Sequence, residues 1–398
     1  MPFKDKLHSL VMWLMPLSFF AYQFILRLWP SLTMQDIMQK FAIDATSYGF
    51  LASVYYYGYA GAQIPIAIAL DKYGAKKILF LCASLCGVGM FLFCNTDSWT
   101  IALMSRFLIG VGSAGGFLTT AKVISQYFAR ESYSKMVGIS FSIGLLGAVY
   151  GGKPLSLLLQ QFDWHELGKS LSFIAVGIAL LSLLFLKAKK DNSDEEFHIS
   201  NVLEIFKSPT ILLLAVSNLL LVGSLEGFAD VWGVNYLVTG YEMEKSVAAE
   251  IVSFIPIGMI FGGPLLSFLS KRIGEYMGIV FAGLMMSLCL MYIIFFRGDL
   301  LILRFVFFCI GIMCCYQVLV FAVGNKLSKP ATLSITTAFL NCINMLGGAF
   351  FHSTIGFSMD LFSDGSYSAE TYTYALLVIP CCALLGSIMA FFLKIRQS

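Results

Sequence analysis

The chain alternates long apolar runs with short polar segments from one end to the other. Each run holds about the 20 residues that an α-helix needs to cross the hydrocarbon core of a bilayer. A helix suits this environment because it satisfies its own backbone hydrogen bonds without water. The pattern predicts twelve transmembrane helices, at residues 9–30, 47–70, 78–95, 99–122, 135–158, 170–187, 210–238, 248–270, 276–296, 300–325, 331–357 and 372–393.

The longest polar stretch, residues 187–209, separates six predicted helices from six. An Arg-Phe pair lies in the first half of the fourth helix at Arg106, and another lies in the first half of the tenth helix at Arg304. Gly147 and Gly347 occupy matching places in the fifth and eleventh helices. Repeats of this kind are a common plan of secondary transporters. We therefore predict an all-α integral membrane fold of two pseudo-symmetric six-helix bundles, at 1–187 and 210–398, joined by a cytoplasmic loop at 188–209.

Composition and charge placement agree with this interpretation. Hydrophobic residues make up 58% of the chain and charged residues 12%, whereas soluble domains have about 25% charged residues. If the N-terminus is cytoplasmic, seventeen Lys and Arg residues fall on the inside and only four outside, namely Lys40, Lys169, Lys245 and Arg297. Positive charge marks the cytoplasmic side. We predict a multi-pass protein of a bacterial inner membrane with both termini in the cytoplasm.

Two motifs resemble signatures of the major facilitator superfamily. Residues 67–77 read AIALDKYGAKK and resemble its cytoplasmic loop signature G-x-x-x-D-R/K-x-G-x-R/K-R/K, with Ala67 in place of the first glycine. Residues 106–112 read RFLIGVG and resemble its fourth-helix signature R-x-x-x-G-x-G. The resemblance implies transport by alternating access, with a cytoplasmic gate that we assign to Asp71, Lys72, Gly74 and Arg130. It also places Asp71 near the positive N-terminal end of the eleventh helix.

Charged residues inside predicted helices point to a polar pathway, because a charge that faces lipid at mid-bilayer costs at least about 2.5–3.5 kcal/mol. Arg27 lies in the first helix, Arg106 in the fourth, and Glu226 and Asp230 in the seventh. The resemblance implies that these helices line a central cavity. Arg27 and Glu226 occupy corresponding positions of the two halves, and we predict that they pair. Lys122, in contrast, is as readily explained by a side chain that reaches the cytoplasmic surface.

Buried charges of both signs favour a zwitterionic cargo, such as an amino acid or a short peptide. The arginines would bind a carboxylate, and a desolvated Glu226 or Asp230 would carry a coupling proton. The first and second helices, with Tyr22, Arg27 and the run 55–57, also resemble the bacterial phagosomal-type amino-acid carriers of the superfamily. The predicted substrate-binding residues are Arg27, Arg106, Glu226, Tyr22, Gln23, Tyr56, Gln317 and Asn341.

Other functions are less consistent with the sequence. The alternative cargo is an organic anion, such as a carboxylate, a sugar phosphate or a siderophore-like molecule; a channel or a non-transporting receptor is a further alternative. The sequence has neither a catalytic nucleophile with a base nor a metal-ligand set, so we predict that the protein is not an enzyme and uses no cofactor. We expect a monomer whose partners are the bilayer, a small solute and a proton or other coupling ion, and not nucleic acid.

Overall fold

The computed structural model describes residues 3–187, 205, 207–329 and 333–397, and the regular elements in these ranges are helices. The first half contains α1 (Phe3–Phe41), α2 (Ala45–Tyr73), α3 (Ala75–Asn95), α4 (Trp99–Ser113), α5 (Gly115–Tyr127), α6 (Tyr133–Tyr150), α7 (Lys153–Leu159) and α8 (Trp164–Phe185). The second half contains α9 (Pro209–Leu221), α10 (Gly233–Gly240), α11 (Lys245–Val252), α12 (Phe254–Ile273), α13 (Glu275–Phe295), α14 (Leu300–Cys314), α15 (Tyr316–Leu327), α16 (Leu333–Leu361), α17 (Ala369–Leu376) and α18 (Val378–Gln397).

Consecutive helices combine into the predicted twelve spans. Ten segments of the described chain are long and apolar enough to cross a membrane, and several of them join two shorter helices end to end, such as α4 with α5. The other two spans are α2 and α16, each 29 residues long. At about 1.5 Å per residue both are long enough to cross, but they are less hydrophobic than the other ten. The predicted all-α fold of twelve transmembrane helices is confirmed.

The chain forms two compact units. Their boundary lies in the central loop, except that one segment of the first half belongs to the second unit. The first unit contains Met1–Trp29 and Val54–Phe197, and the second contains Pro30–Ser53 and His198–Ser398. Helices α1 and α2 therefore contribute residues to both units. The predicted loop at 188–209 lies mostly outside the described residues, and the predicted bundle boundaries there stay a prediction.

The internal repeat is visible in the backbone. Gly74 has φ of 80° and ψ of 161°, and Gly274, at the corresponding place of the second half, has φ of 85° and ψ of 154°. Residues other than glycine rarely adopt such positive φ angles. Each glycine is followed at once by a 21-residue helix, α3 in the first unit and α13 in the second. The same turn thus begins the same helix in each half.

Glycines also let helices cross at backbone contact in each unit. A Cβ atom added to Gly110 of α4 would lie 2.0 Å from the carbonyl oxygen of Tyr55 in α2. In the second unit, a Cβ atom on Gly311 of α14 would lie 2.0 Å from the carbonyl oxygen of Ile255 in α12. Small residues at such crossings allow the close packing that associates helices in membranes. The crossing in the first unit fixes α4 against the part of α2 that carries its tyrosines.

We expect Gly110→Ala and Gly311→Ala to destabilise the protein, since a methyl group at either site collides with backbone that cannot move away. The expected loss is about 1–3 kcal/mol or more, measured as a lower midpoint of thermal unfolding in detergent. Gly61→Ala and Gly263→Ala are matched controls in α2 and α12, because a Cβ atom there meets nothing within 4 Å. Equal effects at the crossing and control sites would contradict this account.

Candidate functional site

A buried arginine of α4 is held by α1 and α2 within the first unit. Arg106 is 1% exposed, and its Nη1 donates a hydrogen bond of 3.1 Å to the carbonyl oxygen of Leu26 in α1. That carbonyl is available because the residue four positions later in the helix is Pro30, which has no N–H to donate. The guanidinium carbon also lies 5.1 Å from the centre of the Tyr55 ring. A backbone carbonyl and an aromatic face therefore stabilise this charge.

A second buried arginine lies next to the same tyrosines. Arg27 of α1 is 7% exposed, and its Nε donates a hydrogen bond of 3.1 Å to the hydroxyl oxygen of Tyr56. Its guanidinium carbon lies 5.3 Å from the centre of the Tyr56 ring and 5.8 Å from that of Phe24. The two adjacent tyrosines of α2 thus each contact one guanidinium group.

Gln23 and Tyr55 complete this group of side chains. The Tyr55 hydroxyl donates a hydrogen bond of 3.1 Å to Oε1 of Gln23, which lies one helical turn before Arg27. We call Gln23, Arg27, Tyr55, Tyr56 and Arg106 the arginine–tyrosine cluster. Four of its members are predicted substrate-binding residues, and Tyr55, from the run 55–57, contacts Arg106 and Gln23. The run of three tyrosines in an apolar helix is the signal that points to this position.

Tyr22 does not belong to the cluster. Its hydroxyl donates a hydrogen bond of 2.6 Å to the carbonyl oxygen of Leu171 in α8. Successive residues of a helix point about 100° apart, so Tyr22 and Gln23 contact different neighbours. The Tyr22 hydroxyl thus joins α1 to α8, and its predicted contact with cargo stays a prediction.

The acidic candidates lie in a π-helical segment of the second unit. Glu226 is 1% exposed and Asp230 is 5% exposed, and both belong to the π-helix Leu225–Trp232 between α9 and α10. π-Helical segments are rare and occur frequently at functional sites. Both carboxyl groups are thus buried within the protein. Glu226 and Arg27 belong to different units, and their predicted pairing stays a prediction.

Amide side chains of α15 and α16 lie in the second unit. Gln317 and Asn341, both predicted to bind cargo, are partly buried. Asn344, one turn beyond Asn341, is 1% exposed, and neither side-chain polar atom has a hydrogen-bond partner within the part of the chain that the structure describes. Leaving a buried polar atom unpaired costs about 1–3 kcal/mol. Asn344 is therefore a polar position for a ligand or water.

The predicted gating residues lie at the end of α2. Asp71 forms an ion pair of 2.6 Å with Lys122 of α5, in the same unit; the Asp71 side chain is 62% exposed and that of Lys122 is 14% exposed. The ammonium group of Lys122 thus pairs with a carboxylate. Nζ of Lys72 lies 5.4 Å from the Tyr73 ring centre. An exposed pair of this kind contributes about 0–1 kcal/mol.

Two parts of the predicted cytoplasmic gate lie outside the residues that the structure describes. The side chain of Arg130 is outside the described residues, as is the chain between residues 330 and 332 before α16. Asp71 and α16 also belong to different units, so the contact expected between them stays a prediction. A similar ion pair occurs in the second unit, where Lys326 of α15 contacts Glu275 of α13 at 2.5 Å.

The repeat does not extend to the chemistry of the two arginines that mark it. Arg304, which corresponds to Arg106, pairs with Glu250 of α11 at 2.8 Å, and its side chain is 36% exposed. The equivalent position of the second unit therefore holds a half-exposed ion pair, whereas the first unit holds a buried guanidinium group against a tyrosine. The arginine of the first unit is thus built into a cluster of aromatic and amide side chains, and its counterpart is not.

Sequence comparison gives a family and several similar proteins. The profile of the Major Facilitator Superfamily matches residues 10–352. The chain is 26% identical over 155 residues to the probable sulfoacetate transporter SauU of Cupriavidus necator, covering 39% of this chain and 36% of that protein. It is 24% identical over 160 residues to the hexuronate transporter of Bacillus subtilis, covering 40% and 38% respectively. This chain thus spans little more than a third of the length of these relatives.

Structural comparison agrees with the profile. The nucleoside transporter NupG superimposes with a TM-score of 0.75 over 97% of this chain and 99% of that chain, at 14% sequence identity. At this identity the similarity concerns the fold alone.

We expect Asn344→Leu to raise the midpoint of thermal unfolding of the cargo-free protein, because the change removes a buried amide that has no hydrogen-bond partner among the described residues. The gain should be about 1–3 kcal/mol. Asn235→Leu is the matched control in the same unit, since Nδ2 of Asn235 donates to the carbonyl oxygen of Ser31 at 2.9 Å; this change should destabilise. A loss of stability in both variants would show that the Asn344 amide is satisfied in the folded protein.

Proposed function

The chain belongs to the Major Facilitator Superfamily, and we propose that it carries small organic anions with a carboxylate or sulfonate group across the membrane. Membership makes it a membrane transporter of small solutes. The observation that supports an anionic cargo is the arginine–tyrosine cluster, which holds two buried guanidinium groups in one unit. Arg27 and Arg106 would bind the anionic group of the cargo.

The chemistry of the cluster suits such an anion. A guanidinium group is planar and presents five N–H donors, so it matches the paired oxygens of a carboxylate or sulfonate. Burial strengthens each charge-assisted hydrogen bond, because the local dielectric is lower than that of water. Tyr55 and Tyr56 orient the two guanidinium planes through ring contacts. The positions of the donors are thus set before cargo arrives, which reduces the entropic cost of binding.

The similar proteins also support an anion. Sulfoacetate and hexuronate, the cargo named for two of them, each carry an acidic group that is ionised at neutral pH. This favours the organic anion over the amino acid or peptide that the sequence suggested first. A zwitterion remains the second candidate, because buried Glu226 and Asp230 provide acidic groups for an ammonium ion.

We further propose that Glu226 and Asp230 couple transport to protons. Both side chains are buried carboxyl groups, and a carboxyl group can take up and release a proton. Protonation in one state of the carrier and release in the other would let a proton gradient drive the anion. The π-helical backbone at Leu225–Trp232 is where we place the accompanying rearrangement, since such segments occur at functional positions.

We expect Arg27→Gln and Arg106→Gln each to reduce anion exchange about 10- to 100-fold, because each removes charge-assisted hydrogen bonds of about 1.5–3 kcal/mol. The measurement is counterflow of labelled sulfoacetate or glucuronate in proteoliposomes, which does not depend on the direction of transport. Arg304→Gln is the control, since that arginine pairs with Glu250. Unchanged counterflow in both cluster variants would reject the binding role. Counterflow of alanine or a dipeptide instead of either anion would favour the zwitterion.

We expect Glu226→Gln to abolish uptake driven by a proton gradient while counterflow continues. The neutral amide resembles the protonated carboxyl group but cannot exchange a proton. Asp230→Asn is measured in parallel, since the two carboxylates share one face of the helix. Both variants are compared with the unmodified carrier for accumulation and for exchange of the same labelled anion. Proton-driven accumulation that survives in both variants would exclude these residues as the coupling site.

A further inference from the structure

One hydrogen bond of the arginine–tyrosine cluster joins two side chains that carry no charge. The hydroxyl of Tyr55 in α2 donates to Oε1 of Gln23 in α1 at 3.1 Å, and both residues belong to the first unit. Tyr55 is 0% exposed and Gln23 is 2% exposed. The acceptor end of the Gln23 amide is thus engaged within the protein. The other end, Nε2, has two N–H groups to donate and cannot accept a hydrogen bond.

The surroundings of the phenol favour this direction of the hydrogen bond. A reversed amide would bring Nε2 to the Tyr55 hydroxyl oxygen and leave the phenol proton to find another acceptor at a buried position, which is unfavourable. The guanidinium carbon of Arg106 also lies 5.1 Å from the centre of the Tyr55 ring. A cation next to the ring polarises the O–H bond, so the hydroxyl becomes a stronger donor and a weaker acceptor. The amide carbonyl of Gln23 is the partner that suits such a donor.

The Gln23 side chain is confined by a third helix of the same unit. A Cβ atom on Gly116 of α5 would lie 3.5 Å from Cγ of Gln23, so the aliphatic part of the side chain packs against α5. Gln23 also lies one helical turn before Arg27, and residues four apart in a helix are neighbours on one face. The amide of Gln23 is therefore held at one end by Tyr55, next to a guanidinium group of the cluster.

We propose that the Tyr55 hydroxyl is a positioning group that fixes Gln23 as a hydrogen-bond donor, and thereby makes the cluster select ionised acids over their amides. This role rests on the proposed transport of anions. Arg27 and Arg106 have donors alone, and with Oε1 held by Tyr55 the amide adds a further donor. A carboxylate or sulfonate can accept from all of them. A carboxamide brings N–H groups that meet donors, and a site that leaves polar groups unpaired discriminates strongly.

A double-mutant cycle tests the hydrogen bond without any cargo. Tyr55→Phe removes the hydroxyl and keeps the ring next to Arg106, and Gln23→Met removes the amide at nearly unchanged length. We expect each change to lower the midpoint of thermal unfolding in detergent, and the double variant to lose less than the sum of the two, because both remove the same hydrogen bond. Tyr48→Phe is the matched control, since that buried hydroxyl donates to the carbonyl oxygen of Pro30; its loss should add to that of Gln23→Met. Additive losses for Tyr55→Phe and Gln23→Met would overturn the proposal.

Glucuronate and glucuronamide, which differ in an ionised acid against its amide, measure the selectivity. Each unlabelled compound competes with a labelled anion, glucuronate or sulfoacetate, for counterflow in proteoliposomes, and the ratio of the two half-inhibiting concentrations is compared between variants. We expect Tyr55→Phe to narrow this ratio roughly 3- to 10-fold, since Gln23 is then free to turn Oε1 towards the carboxamide. A loss of stability or of active carrier affects both compounds alike, so Tyr48→Phe should keep the ratio of the unmodified carrier.

Gln23→Met is the second variant for selectivity and replaces Tyr55→Phe if that protein is not monodisperse on size exclusion. It removes the amide donor, so its ratio should narrow as well, and Tyr55→Phe should add nothing in that background. An unchanged ratio in these variants would overturn the proposal. Absence of counterflow of both anions in the unmodified carrier would instead reject the proposed function, while the stability cycle still reports on the hydrogen bond. The two failures are therefore distinguishable.

Discussion

The burial of two guanidinium groups in an apolar helix bundle is the constraint on which the first unit depends. A charge in this environment is tolerated only where hydrogen bonds and polarisable groups replace water. Arg106 obtains these from the Leu26 carbonyl and the Tyr55 ring, and Arg27 obtains them from Tyr56. Each compensation needs a particular alignment of α1, α2 and α4. Pro30 leaves the Leu26 carbonyl without a helical N–H donor, and Gly110 allows α4 to approach α2. These two residues, which have no polar side chain, make the arginine–tyrosine cluster possible.

The two halves share their geometry more closely than their chemistry. The turns at Gly74 and Gly274 recur at corresponding places of the two halves, and so do the crossings at Gly110 and Gly311. These positions are fixed by backbone sterics, which any six-helix bundle of this design must satisfy. Arg304 meets no such constraint and forms a half-exposed pair with Glu250. One half therefore concentrates positive charge in a buried cluster, while the other buries two carboxylates in a π-helix.

The parts of the structure that follow from hydropathy and helix length could be predicted from the sequence. Apolar runs predict twelve helices because the length of each run must match the thickness of the bilayer. A charged residue inside such a run indicates a polar pathway because a charge that faces lipid is costly. Side-chain direction is harder, since Tyr22 and Gln23 are neighbours that contact different helices. The π-helix at Glu226 depends on backbone hydrogen bonds that hydropathy does not encode. Asp360 follows an apolar run and has the pattern of a solvated acid, so the sequence alone does not reveal that its carboxylate accepts hydrogen bonds from the first turn of α2.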